Sequence, residues 1–271
     1  MLLSSQAEER LQRVPALRRS REYRLYTLDG RRLLDCFQDG GRAILGHRTP
    51  GMVSRIKNDL ERGLSTVLPG RDSDVLAIRL RELVPGGGNL GCFRNLDRAL
   101  DCVRGLGETA DPSVTEPFAP ISQIVFWRPF LPDKVWQAVL ETDPMVVMPL
   151  LPGPPILQMQ PALFRRGTLP RNETVPRVEI SCAVSAVDAL SNAQPRGSLP
   201  VPGFRSVGPY LFLDVETDYD FVFDSFLEGG ILLSPEPTVP SIIPAIMSAG
   251  ERVKLERIAQ SVLTGETHHG Y

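Results

Sequence analysis

The sequence predicts an α/β protein, and three observations carry that expectation. Apolar residues recur at helical spacing in several stretches, and short β-branched and aromatic runs lie between them. One strand–helix–strand succession sits in the middle of the chain. Of the 271 residues, 42% are hydrophobic, enough to bury the core of one large domain or two small ones.

In chain order, residues 1–20 read as an amphipathic helix with Leu11, Val14 and Leu17 along one side. A hairpin follows: Glu22 to Tyr26, a turn at Leu28-Asp29-Gly30-Arg31, and Arg32 to Asp35. Thr49 suits the N-cap and Pro50 the first turn of a helix that would bury Val53, Ile56 and Leu60. A second helix starts after Asp72-Ser73, buries Leu76, Leu80 and Leu83, and stops at Pro85-Gly86-Gly87-Gly88. A third begins near Asn95, where Leu96, Ala99, Leu100 and Val103 form one stripe.

Residues 121–127 then read as a strand, 133–141 as a short helix and 145–151 as a second strand, an order that suits one βαβ unit. Ten prolines from Pro149 to Pro202 argue against long regular elements there, with one short apolar stretch from Val178 to Leu190. Order returns with a strand from Tyr210 to Val215 and a helix from Tyr219 to Leu227 that Gly229-Gly230 ends. A short strand, Ile231 to Leu233, precedes a last helix at 250–263 that aligns Leu255, Ile258, Ala259 and Val262. The tail, 266–271, is expected to be disordered. No internal repeat is present.

Composition narrows the function. A net charge of −2 and a pI near 6.0 argue against a nucleic-acid binder held by a general basic field. The first 21 residues hold no long apolar stretch, so neither a signal peptide nor a membrane span is expected, and the setting is expected to be cytoplasmic. Cys36, Cys92, Cys102 and Cys182 are scattered and read as core residues of a reducing compartment. Only Lys57, Lys134 and Lys254 are lysines, so few amines are available for imine chemistry.

Several patterns have bland readings. Gly86-Gly87-Gly88-Asn89-Leu90-Gly91 matches G-x-G-x-x-G but follows a helix, so a flexible connection is expected instead of a dinucleotide site. No G-x-S-x-G accompanies His47. His268 and His269 offer two ligands on a tail, too few for a metal site, and no metal is expected. Asn172-Glu173-Thr174 is a formal glycosylation sequon without meaning in a cytoplasmic protein. Trp127 and Trp136 are expected in the core.

Two segments carry a family resemblance. The first holds Tyr26 through Asp29-Gly30, Leu33-Leu34-Asp35, Gly46-His47-Arg48-Thr49-Pro50, Glu61-Arg62-Gly63-Leu64-Ser65 and Glu82-Leu83-Val84-Pro85. The second holds Leu227-Glu228-Gly229-Gly230-Ile231-Leu232-Leu233-Ser234-Pro235 and Ser248-Ala249-Gly250-Glu251. Together they resemble the opening and closing segments of the class III, pyridoxal-phosphate (PLP) dependent aminotransferases, most nearly the glutamate-1-semialdehyde aminomutases. The resemblance implies an aminotransferase-like small domain formed from both chain ends, with a reduced central βαβ remnant of the large PLP-binding domain. It implies boundaries of 1–104, 105–205 and 206–265, gives Asp29, Gly30, Asp35, Gly46, His47 and Pro50 structural roles, and implies a homodimer.

The same resemblance sets four requirements for PLP: an imine-forming lysine, an aspartate on the ring nitrogen, an aromatic ring stacked on the cofactor, and a phosphate turn at a helix amino terminus. The turn corresponds to Asn95-Leu96-Asp97-Arg98-Ala99, where Leu96 replaces a glycine and Asp97 puts a carboxylate beside the phosphate position. No strand ends in aspartate-glutamate, and the lysine segment falls in the shortened centre. Lys134 is the one weak candidate. The expectation is a degenerate, catalytically inactive protein without PLP that serves as a binding or regulatory module. One alternative is an active PLP aminotransferase or aminomutase that uses Lys134. Another is a site for an acidic metabolite built from arginines such as Arg94 and Arg98 or Arg165 and Arg166.

Overall fold

The computed structural model describes residues 4–64, 66–68, 70–106, 113–154, 159–167 and 173–264. The expected disordered tail with His268 and His269, Ser65 of the first motif segment and Asn172 of the sequon lie outside the described residues. The elements in order are α1 (Ser5–Gln12), β1 (Leu17–Arg21), β2 (Arg24–Thr27), β3 (Arg32–Asp35), α2 (Met52–Glu61), α3 (Asp72–Leu83), β4 (Asn89–Phe93) and α4 (Leu96–Gly105). Then follow β5 (Val114–Thr115), β6 (Ile124–Trp127), α5 (Asp133–Glu141), β7 (Val146–Pro149), β8 (Gln160–Phe164) and α6 (Arg177–Ser191). The last are β9 (Phe204–Val207), β10 (Tyr210–Leu213), α7 (Tyr219–Glu228), β11 (Ile231–Leu232), β12 (Ser241–Ile242) and α8 (Ala249–Thr264).

The chain divides into two units. One joins Met1–His47 to Pro195–Tyr271, and the other is Arg48–Gln194. The divisions therefore fall at 47/48 and 194/195, not at 104/105 and 205/206: residues 48–104 pack with the centre, because α2 and α3 lie on α6 and β4 pairs with β8.

The first unit explains how the chain ends meet. β1, β2 and β3 form an antiparallel meander, and β11 adds parallel to β3 with Ile231 opposite Leu34 and Leu232 opposite Asp35. Leu33, Leu34, Phe223, Phe226, Ile231, Leu255 and Ile258 fill one core beneath this sheet. Burying a side chain of that size contributes about 1.5–3 kcal/mol, which is why two segments far apart in sequence hold together. The helix expected over 1–20 is shorter: Ser4 caps α1 at Ala7 N–H, and α1 ends at Gln12, three residues before Pro15. Leu17, expected on the helix face, lies instead in β1 and is exposed.

Gly30 turns the hairpin at φ 89°, a conformation that costs a side-chain-bearing residue strain, and Asp29 accepts from Arg31 N–H at 3.3 Å. Asp35 at the end of β3 accepts from Phe37 N–H (2.9 Å) and Gln38 N–H (2.8 Å), and pairs with His47 Nε2 at 2.7 Å. His47 N–H donates to Glu22 O at 2.9 Å, while Gly46 at φ 89° passes close to the Glu22 backbone. In this unit, then, His47 ties the turn to the meander.

The second unit holds a five-stranded sheet in the order β4-β8-β7-β6-β5. β6, α5 and β7 form the expected βαβ unit, with parallel register from Ile124 opposite Val146 to Trp127 opposite Pro149. The centre is larger than a βαβ remnant. β8 is antiparallel to both β4 and β7, so β4, β5, β6 and β7 all run one way. α6, a 15-residue helix, occupies the stretch expected to lack long elements. Its prolines lie outside it: Pro176 is the N-cap residue and Pro195 follows its end.

Three further local readings change. α2 starts from Gly51, at φ 76°, so neither Thr49 nor Pro50 takes the expected cap and first-turn places. Val53 and Leu60 are exposed, because α2 turns Met52 and Asp59 inward: Asp59 is bonded by Ser181 Oγ of α6, against which Met52 also packs. Leu83 is half-buried, and Val84 takes the core position. In the glycine run, Gly86, Gly87 and Gly88 take φ of 98°, 59° and 139°, and a Cβ at Gly88 would sit 3.1 Å from the Leu163 backbone, so a side chain there would be strained. The run leads into β4 instead of following a strand, so it lacks the dinucleotide geometry.

Candidate functional site

Open α/β sheets bind ligands beyond the carboxyl ends of their strands. In the second unit four strands present carboxyl ends on one edge, and the residues that follow them are Arg94-Asn95, Glu116-Pro117, Arg128-Pro129 and Leu150-Leu151. None is an aspartate-glutamate step.

The edge begins where β4 passes into α4. Gly91 lets the rings of Phe93 and Phe164 come within 2.9 Å of where its Cβ would be, so the strand lies close to β8. Ala99 and Val103 then anchor α4 in the core with Ile124 and Met148. Asn95 is the N-cap, its Oδ1 accepting from Arg98 N–H at 2.9 Å. Leu96 is half-buried, and Asp97 and Arg98 are exposed in the first turn. Here the chain brings in a residue from 75 positions away: Glu173 accepts from Arg94 N–H at 3.1 Å and from Arg98 Nε at 2.6 Å. Partial burial opposes ionisation of Glu173, but those donors outweigh it and hold its carboxyl below the usual range. Beside it opens a groove of about 460 Å³ lined by Val67, Leu68, Asp72, Glu173, Val175 and Arg177 among others.

A second carboxylate–arginine pair lies at the ends of β5 and β6. Arg128 is 1% exposed, and its guanidinium grips Glu116 through two bonds of 2.5 and 2.7 Å. Planar bidentate pairing of this kind suits arginine better than lysine. Pattern reading missed Glu116, Arg128 and Glu173; only the sequon drew attention to Glu173, for an unrelated reason.

The lysines sit elsewhere. Lys134 is exposed in the first turn of α5, and Lys57 is exposed on α2 with Glu61 at 3.8 Å. Lys254 belongs to α8 of the first unit. The arginines weighed for an acidic metabolite have partners in the fold. Arg94 Nε donates to Thr174 O at 3.1 Å, Arg98 holds Glu173, and Arg165 and Arg166 both reach Asp143, at 3.4 and 3.2 Å. Trp136 is buried and donates to Pro85 O at 2.9 Å, and Trp127 is buried at the end of β6. Cys36, Cys92 and Cys182 are buried, and burial pushes the Cys92 and Cys182 thiols up to about 12. Among the described residues, no cluster of three or more His, Cys, Asp and Glu side chains could hold a metal, and no helix is long and apolar enough to cross a membrane.

No family model matches the chain. It is 28% identical to an uncharacterized protein of Treponema pallidum (strain Nichols), over 88% of this chain and 92% of that one. It is 23% identical to an uncharacterized protein of Borreliella burgdorferi (strain ATCC 35210 / DSM 4680 / CIP 102532 / B31), over 88% and 87%. Among solved structures it is similar to an omega-transaminase from Sphaerobacter thermophilus, with TM-score 0.67 and 13% identity over 92% of this chain and 91% of the other. It is likewise similar to the Plasmodium falciparum ornithine delta-aminotransferase, with TM-score 0.66 and 12% identity over 93% of each chain. A structure described as a transaminase with PLP bound has TM-score 0.59 and 12% identity over 93% and 91%. The chain therefore has the aminotransferase fold, with an α/β architecture that the likeness follows across nine-tenths of its length.

Proposed function

We propose that this chain is a non-catalytic protein built on the aminotransferase fold, acting as a binding or regulatory module without PLP in the cytoplasm. One observation carries the reading: the strand edge where such a cofactor would lie is neutralised by the chain's own ion pairs and carries no buried lysine. The residues present do not fit PLP. The first turn of α4 holds Leu96 and Asp97, and Glu173 already engages Arg94 N–H and Arg98. The residue that follows β6 is the buried Arg128, and the carboxylate beside it, Glu116, is already engaged by its guanidinium instead of standing free for a ring nitrogen. Lys134 is open to solvent, whereas imine-forming lysines are desolvated or placed beside other cations. Kinship with the glutamate-1-semialdehyde aminomutases, and descent by loss of part of the large domain, belong to this reading and rest on the motif segments at the two chain ends.

The test is the violet absorbance of protein-bound PLP. The protein as purified, and after incubation with PLP and dialysis, is expected to show no such band. A band that Lys134→Ala abolishes would establish the rival, an active enzyme using Lys134. The reading also includes a homodimer, which the exposed Val53 and Leu60 of α2 and Val75 and Ile78 of α3 favour as unpartnered apolar surface. Sedimentation equilibrium is expected to give twice the chain mass, and a monomer across the micromolar range would remove that part.

A further inference from the structure

We infer that the outer edge of β1 is a docking site for an extended acidic peptide, which adds to the sheet of the first unit as one more strand. The strand order β1-β2-β3-β11 leaves β1 at the border, so alternate N–H and C=O groups along it face away from β2 with no strand beyond. Leu17, Arg18, Arg19 and Arg21 are exposed there, and Ser20 is half-buried. A bulge lies between Leu17 and Arg19, and from Arg19 to Arg21 the pairing with β2 is regular. In strand addition the main chain supplies affinity, and side chains at alternate positions supply selection.

Here charge selects. Arg24 and Arg31, on the neighbouring strand and turn, are paired with Glu251 at 2.7 Å and Asp29 at 3.1 Å. Arg18, Arg19 and Arg21 pair with no carboxylate among the described residues. Arg19 lies over the Tyr26 ring, 4.5 Å from its centre, which orients the guanidinium and leaves its charge. That stack also covers a ring face on which a base would otherwise lie, so the surface fits a peptide better than a single-stranded nucleic acid. Arg19 stands opposite Tyr26 and Arg21 opposite Arg24. Both arginines therefore share one face of the sheet, and carboxylates two residues apart on an incoming strand meet both. A second copy of β1 would set arginine against arginine, so the charge that keeps copies apart admits an acidic strand.

This inference gives the binding role proposed above a partner and rests on that reading. Fluorescence anisotropy with a labelled peptide of alternating glutamate and valine, on the full chain, tests it. The peptide is expected to bind. A version N-methylated along its backbone, which keeps the charge and lacks the ladder donors, is expected to bind about tenfold more weakly. Arg19→Glu with Arg21→Glu is expected to weaken binding of the unmethylated peptide by about tenfold or more. Arg18→Gln with Arg21→Gln leaves the stack on Tyr26 in place, so it decides the matter if the glutamate variant does not fold. No binding of the alternating peptide, equal binding of the N-methylated one, or unchanged binding by the variants would overturn the inference. So would tighter binding of a single-stranded oligonucleotide or of anionic lipid vesicles, which would mark the strand as a general polyanion surface. A violet band with added PLP would instead strike at the reading above, so the two fail separately.

Discussion

Replacing Arg128 with alanine is expected to destabilise the second unit by about 3 kcal/mol. The side chain is almost fully enclosed, and its partner Glu116 is only 18% exposed, so removal strands a carboxylate that water reaches poorly. Both tryptophans of the chain, Trp127 and Trp136, lie in this unit. Their fluorescence in a denaturant titration therefore reports its unfolding directly. Two further variants separate pairing from packing. The double variant Arg128→Ala/Glu116→Gln is expected to cost clearly less than the sum of the single changes, because the stranded charge is gone. Arg128→Met with Glu116→Leu is expected to recover most of the loss, since an apolar pair of similar volume avoids the desolvation cost. Additive costs in the first double variant would mean that the two side chains do not interact.

The second large effect lies in the first unit, at Glu251. Ser248 and Glu251 form a capping box at the start of α8, with Ser248 N–H donating to Glu251 at 2.8 Å and Glu251 N–H to Ser248 Oγ at 3.2 Å. The same carboxylate receives both arms of Arg24, from β2, at 2.9 and 2.7 Å. Burial opposes ionisation, but these donors outweigh it and bring the carboxyl down from 4.5 to about 2. The folded state thus holds this proton more weakly than the unfolded chain does. The stabilisation, about 3 kcal/mol at most, is complete above pH ~4.5 and is lost as the pH falls from there toward ~2. Glu251→Gln is expected to lower stability by about 2 kcal/mol at pH 7, and the gap from wild type is expected to shrink as the pH falls below ~4.5 and to close only below pH ~2. Hydrogen exchange on α8 amides across that range measures it. A gap independent of pH would show that packing, not charge, is what the substitution removed.

Much of the architecture was legible because it is local. Leu96, Ala99, Leu100 and Val103 mark α4, with Asn95 as its cap, since a one-sided helix must repeat its apolar face every three to four residues. The βαβ unit was equally plain, because its strands are short β-branched runs on either side of a helix that buries Trp136 and Val139 on one face. α6 was hidden by the opposite condition. Ser181, Cys182, Ala183, Val184, Ala186, Val187 and Leu190 are all buried, so the helix has no clean polar face, and the surrounding prolines disguised a regular element as loop. β8 is buried on both sides and includes Pro161, which pattern reading takes as a sign against a strand.

By itself, then, the sequence determined the α/β class, the pairing of its two ends through motifs around Asp35 and Ile231, the scarcity of lysines and the unusual first turn of α4. These follow from residue identity and short spacing, which need no partner to be read. The tertiary structure alone decided where the units divide, that the central sheet has five strands, and that Glu173 pairs with Arg98 and Arg128 with Glu116 beyond one edge of it. Arg98 and Glu173 are 75 residues apart, and Arg128 meets Glu116 across two strands. Charge pairs of that kind leave no periodic trace in a sequence, because it is the folding of the sheet, not the spacing along the chain, that sets the distance between them.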